Sequence, residues 1–454
     1  MRTMRMILLG VTALLVVGCG KPTPEAKTGK DVVEGGGAGG GGGGGDPTAA
    51  PIRATPKRNV SSEAKGDFGG AIKAYTAAKK SGTLKSGCAD LAGNFGRVFD
   101  SHSKLPEAKF NEGVIWEECG NLVKAEQAYQ ALLGKHPNYG PALNNLGEIA
   151  FQRGQVEVAL SYFKKAADQK NSEGYANLAL VQRNQALAGN PAMVKDALDN
   201  VHRSLAVDSF NIEAYATMAL VLYDHAKKRS ELEMARLICV QAAKVSDSYA
   251  PIYNILGLVL LKMGRVTPAL AEFRKAVGLD PSLREAHMNI GAITLSFRDY
   301  KSSAEAFTRV LSLNPDKKTK VEALVGLGVA LRGERQYKEA MAKYKEAEQL
   351  DPSNLDIVYN QGILVQDYMF DASNPSVGIA TLQQAANLLQ RYASGGRSGE
   401  KVKDATKRVK NINEMIPMLQ EQMKMAPMAP APEPAKPAGG AKPEKAGGKK
   451  KPGK

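Results

Sequence analysis

The chain has 454 residues, 43 % of them hydrophobic, and its 61 Lys and Arg outnumber 46 Asp and Glu to leave a formal net charge of +15. A balance this basic points to nucleic acid, an anionic surface or an acidic partner, and the export signal described next removes the first of these in practice. The four cysteines and five histidines show no zinc-like or His-Glu-x-x-His spacing, and there is no Gly-x-Ser-x-Gly elbow, so no catalytic residue, metal site or cofactor is expected.

Arg2 and Arg5 precede an apolar run from Met6 to Val17 that is too short to span a membrane, which reads as a secretory signal over residues 1–18. The run ends in Val16, Val17, Gly18 and Cys19, which resembles the lipobox of bacterial lipoproteins. The resemblance implies lipidation of Cys19 as the first mature residue. Gly20 after it implies the outer membrane, with the chain facing the periplasm. Residues 19–60 form a tether, all glycine from Gly35 to Gly45 except Ala38, that cannot bury enough apolar surface to fold. As a flexible coil it spans roughly 35 Å.

Further along, Gly66, Phe68, Ala71, Tyr75 and Ala78 read as the second helix of a hairpin whose first helix is degenerate, and residues 81–105 fit no register. Cys88 and Cys119 are the pair close enough in sequence to suggest a disulfide, while Cys239 falls on an apolar helical position and reads as a small core residue. From Pro106 a period of 34 residues sets in, with further clear copies from Gly140, Ala250, Arg284 and Val321. Each carries Leu-Gly or a near equivalent in a first helix, as at Leu146-Gly147, Leu256-Gly257 and Leu327-Gly328. In the second helix follow an alanine and an aromatic four residues on, as at Ala159 and Phe163, Ala269 and Phe273, and Ala340 and Tyr344. Pro137, Pro281, Pro315 and Pro352 end second helices because proline has no N–H to donate. Weaker copies from Gly174, Ile212 and Leu355 carry insertions. About nine units fill residues 61–392, and since each hairpin leaves an apolar face that only a neighbour can cover, they must stack.

Residues 400–424 form an amphipathic helix with Val402, Ala405, Val409, Ile412, Ile416 and Leu419 at helical spacing. It reads as the solenoid's terminal cap, with a membrane-lying or partner helix as the alternative. Residues 425–454 are a Pro-, Ala- and Lys-rich basic tail.

The Leu-Gly, Ala, aromatic, Ala and Pro series resembles the tetratricopeptide family. The resemblance implies an all-α superhelical solenoid whose first helices line a concave groove that receives a peptide or helix. The family's Lys and Asn clamp for a C-terminal carboxylate has no counterpart, because its positions here read Phe110 and Val114, Asn144 and Glu148, Asn254 and Leu258, Met288 and Ala292, and Val325 and Val329. Asparagine does recur before the Leu-Gly position, at Asn111, Asn145, Asn177, Asn289 and Asn360, where it either bonds a ligand's backbone or ties adjacent hairpins together. Leu180, Leu220, Leu258, Leu261, Leu295 and Val329 are expected to make an exposed apolar groove.

The layout of lipobox, glycine tether, repeats and basic tail resembles the tetratricopeptide lipoproteins of the adventurous gliding machinery of myxobacteria. That implies a non-enzymatic scaffold whose partners are outer-membrane barrels and periplasmic motility components. Two other readings stay open: a pilotin-like lipoprotein for pilus or secretin assembly, and a spacer whose basic tail holds anionic cell-wall polymer.

Overall fold

Residues 60–396 and 398–425 are described by a computed structural model, and among them the chain forms nineteen α-helices, one short 3-10 turn and no strand. The signal, Cys19, the tether to residue 59 and the tail from residue 426 lie outside the described residues. The chain divides into two compact units, at Gln336 and Tyr337.

The first unit is a stack of helical hairpins: α1 (Ser62–Ser81) with α2 (Cys88–Ser101), α3 (Pro106–Glu118) with α4 (Leu122–Lys135), α5 (Gly140–Gln152) with α6 (Val156–Asp168), α7 (Ser172–Leu187) with α8 (Met193–Val207), α9 (Ile212–His225) with α10 (Arg229–Val245), α11 (Ala250–Lys262) with α12 (Val266–Leu279), and α13 (Arg284–Ser296) with α14 (Tyr300–Ser312). The helix α15 (Lys317–Gly333) packs on α14. Four of the five clear repeat copies begin at the first residue of a helix, at Pro106, Gly140, Ala250 and Arg284. The fifth does not: α15 starts four residues before Val321, where Asp316 caps the helix by accepting from the Thr319 N–H at 3.0 Å.

The repeat glycine is explained by its own hairpin. A Cβ on Gly147 would stand 2.5 Å from the Phe163 ring, one on Gly257 2.6 Å from Phe273, and one on Gly291 2.9 Å from Phe307. The aromatic of the second helix packs against the bare backbone of the first, and Phe163, Phe273 and Phe307 are buried there. Ala159, Ala269 and Cys239 are fully buried on the second helices, and burial pushes the Cys239 thiol up to about 12, which leaves it protonated and inert.

The N-terminal register differs from the expectation. Phe95, Tyr129 and Phe163 follow one another at the 34-residue period, so α2, lying in the stretch that fitted no register, is the second helix of the first hairpin. The helix α1 is its first helix rather than a second one. It meets α2 through the edge contact of Phe68 on Phe95, with ring centroids 5.7 Å apart, and reaches α3 where the Tyr75 hydroxyl donates to Glu118 at 2.8 Å. A disulfide joins Cys88, at the start of α2, to Cys119, which caps α3.

In the second unit, α16 (Tyr337–Leu350) packs on α17 (Leu355–Tyr368), which pairs with α18 (Pro375–Ala393), and α19 (Glu400–Met425) lies against α18. Ala405 and Ile412 of α19 are buried, and its basic residues bond back to α17: Lys401 to Asp356 and Arg408 to Asp367, each at 2.8 Å. The Tyr359 hydroxyl donates to Asp404 at 2.7 Å. The first half of α19 therefore closes the end of its unit, as a cap must. Its last turns expose Met415, Met418 and Met423.

Candidate functional site

The first helices of the hairpins present one stripe away from their own partner helix, at residues spaced three and four apart. In α11 the stripe is Asn254, Leu258 and Leu261; in α13, Glu285, Met288, Ala292 and Leu295; in α15, Glu322, Val325 and Val329. On the opposite side of α13, Ala286, Ile290, Ile293 and Thr294 enter the core, which is why the stripe is left over.

Along α3 to α9 this inner stripe is closed at its first two positions, while Phe151 and Tyr223, at the position of Leu261, are half-buried. Phe110, Val114, Asn144, Glu148, Ala176, Leu180, Ala216 and Leu220 are all buried. Leu180 and Leu220, expected in an exposed groove, are 5 % and 1 % exposed, because neighbouring first helices touch there, and they offer no surface to a ligand. Beyond the buried Asn254 the stripe opens: Leu258, Leu261, Met288, Leu295, Val325 and Val329 are only half-buried, and Ala292 is exposed.

Three of the recurrent asparagines tie helices together. Asn145 donates to the Tyr129 hydroxyl at 2.8 Å and reaches Glu117 at 3.5 Å. Asn177 on α7 donates to Asn144 at 2.9 Å and to Glu148 at 2.8 Å, both on α5, and Asn289 on α13 donates to Asn254 on α11 at 2.9 Å. Asn111 is fully buried, and Asn360 donates within its own helix to the Asp356 carbonyl at 2.9 Å. Of the two roles open for these residues, the geometry displays the structural one at Asn145, Asn177 and Asn289. Burial, with Glu117 beside it, holds the Tyr129 hydroxyl well above the usual phenol range, so it stays protonated in this network.

Spacing motifs missed two clusters. Arg183, 2 % exposed near the end of α7, pairs with Asp224 of α9 at 2.5 Å across 41 residues of sequence. His102 meets Asp67 at 2.9 Å with Glu63 one turn earlier, an exposed group assembled from α1 and the end of α2. Neither carries a sequence signal, since each joins residues from different helices. None of the described helices is long and apolar enough to cross a membrane.

Residues 120–176, 255–318 and 294–354 match the family model described as tetratricopeptide repeat. Human protein O-mannosyl-transferase TMTC1 is 25 % identical over 223 residues, which are 48 % of this chain and 24 % of that protein. The bovine BBSome complex member BBS4 is 23 % identical over 272 residues, 57 % of this chain and 49 % of the relative. The chain thus spans half or less of the length of these curated relatives. Among solved structures, a monomeric mutant of IFIT1 with Gppp-AAAA superposes with a TM-score of 0.53 over 78 % of this chain and 82 % of the other, at 11 % identity, a likeness of fold alone.

Proposed function

We propose that this chain, a tetratricopeptide-repeat protein, is a lipid-anchored scaffold that gathers proteins of a bacterial envelope complex, with the gliding machinery as the first assignment. The observation that carries protein binding is the opening of the inner face at α11, α13 and α15, where the described part of the first unit leaves an aliphatic stripe half-buried. The disulfide between Cys88 and Cys119 supports export, because such bonds persist in oxidising compartments. Cys19 supplies the anchor and the outer membrane its site. The gliding assignment rests on the layout of the chain.

In-cell crosslinking of the affinity-tagged protein, followed by mass spectrometry, tests the assembly. Capture of outer-membrane barrels and motility proteins, lost with Cys19→Ser, is the expected result. Recovery of a pilus or secretion pore would replace the gliding assignment. Retention on isolated cell wall that disappears with the tail would point instead to the spacer. At the face itself, Leu258→Glu with Leu295→Glu removes partner capture and leaves the fold intact. Unchanged capture would rule out the inner face.

A further inference from the structure

The start of α1 departs from what a helix asks of its sequence. Gly66, Gly69 and Gly70 stand in its first half, and a Cβ on any of them would meet nothing within 4 Å, so none is there to let a neighbour approach. Each weakens the helix. Glu63 and Asp67 lie one turn apart on the same face, a like-charge pair that weakens it further. The helix N-terminus favours Glu63, in the first turn, whereas Asp67 is the sixth residue and lies beyond that effect. The second half of α1 is held to α3 by Tyr75 and Lys79, which both bond Glu118. The first half buries Ala64 and Phe68 and has one polar tie beyond its own helix among the described residues, from Asp67 to His102.

His102, the residue that ends α2, brings its Nε2 to 2.9 Å from the Asp67 carboxylate. One donor atom from each of Glu63, Asp67 and His102 lies within 4.8 Å of the other two. Tetrahedral zinc, with ligands at roughly 2.0–2.2 Å, sets its donor atoms about 3.3 Å apart. His102 and Asp67 are already near that spacing, and the exposed Glu63 side chain closes the remainder by a change of rotamer. An imidazole with two carboxylates suits zinc, whereas calcium and magnesium take oxygen donors. The imidazole is only 17 % exposed and so held in place, while Asp67 is 52 % exposed and leaves the outer side open to a water ligand. Beside Asp67, a cleft of about 320 Å³ between α1 and α2, bounded by Gly70, Asn94, Val98 and Ser101, gives that water room. Arg97 also lines the cleft but donates to Asn94 at 2.5 Å, and Lys65 and Lys104 are exposed nearby; among the described residues none of the three pairs with Glu63 or Asp67.

We propose that Glu63, Asp67 and His102 are three ligands of a zinc ion that fastens the start of α1 to the end of α2. The ion removes the repulsion between the two carboxylates and supplies the fastening that the glycine-weakened half of α1 lacks, at the opposite end of α2 from the bond between Cys88 and Cys119. The site is independent of the inner face.

Calorimetric titration of the full chain with zinc chloride, after a chelator has stripped it and with its disulfide intact, tests the site. Saturable binding of a single zinc is expected, undisturbed by excess magnesium. His102→Ala weakens it about tenfold or more. Glu63→Gln, which leaves the contact of His102 with Asp67 in place, also weakens it while circular dichroism stays unchanged. Replacing an exposed histidine elsewhere, His202→Ala on α8, has no effect. Zinc also slows amide exchange over residues 62–70, and does not do so in His102→Ala. Binding only at millimolar zinc, or binding that survives both His102→Ala and Glu63→Gln, would overturn the site. Equal loss in His202→Ala would do the same, and tighter binding of calcium than of zinc would overturn the choice of metal.

Discussion

The inner stripe of α3 to α9 and that of α11 to α15 come from the same repeat positions and end in opposite states. Leu220 on α9 and Leu258 on α11 occupy the same place in their hairpins, yet Leu220 is buried to 1 % and Leu258 is half-exposed. Polar ties mark the approach of successive first helices in both stretches, Tyr75 to Glu118, Asn145 to Glu117, Asn177 to Asn144 and Glu148, and Arg183 to Asp224 in the closed one and Asn289 to Asn254 in the open one, so the ties alone do not make the difference. Ala176 and Ala216 leave room for that approach, where Met288 and Val325 stand at the same repeat position in the open region. A single repeat sequence thus makes a sealed spine in one stretch and a half-buried aliphatic face in the next.

The largest effect is expected where the closed region holds charge. Arg183→Ala strands Asp224 with a side chain only 10 % exposed, and should cost about 3–5 kcal/mol in urea unfolding. The double change Arg183→Met with Asp224→Leu should recover most of that loss, and failure to recover would mean the pair is not what seals this stretch. The sharpest test of the contrast is the matched pair Leu220→Ala and Leu258→Ala. The first should lose about 2–5 kcal/mol as a buried large-to-small change and the second under about 1.5 kcal/mol; equal losses would erase the distinction between the two regions. Reducing the bond between Cys88 and Cys119 should cost about 2–4 kcal/mol, read as earlier unfolding of the N-terminal hairpins while those beyond α11 keep their midpoint, because a solenoid is stabilised by neighbours.

A smaller effect is expected at Asp299, which caps α14. The Ser302 side chain and backbone N–H hold its carboxyl below the usual range. A depressed folded-state pKa contributes stability that is present above the unfolded value and disappears as pH falls through the folded one. The gap in stability between the native chain and Asp299→Ala should therefore be constant near neutrality and close in acid. A gap that persists at low pH would show that the cap does not act through its charge.

Much of the architecture was legible in the residues. The Gly147 and Phe163 contact joins residues 16 apart inside one hairpin, and the same pairing recurs at Gly257 with Phe273 and Gly291 with Phe307, so the helix starts at Pro106, Gly140, Ala250 and Arg284 could be read off the period. The first hairpin was misread because α1 places Phe68 against Phe95 instead of a glycine under the ring, which removes the mark that distinguishes first from second helices. The groove was half legible. The pattern identified which residues face inward, and did so for Leu180 and Leu220 as for Leu258 and Leu295, but not which of them stay uncovered.

What the sequence determined by itself was therefore local: helix period, hairpin pairing and the small residues that let two helices touch, each set by contacts within about 34 residues. Exposure of the inner face was decided only in the tertiary structure, because it depends on how closely one first helix approaches the next. That approach is set by side chains far apart in the chain, such as Arg183 with Asp224 and Asn289 with Asn254. No periodicity carries that information, since the same leucine is core or surface according to the size and polarity of what its neighbour repeat presents.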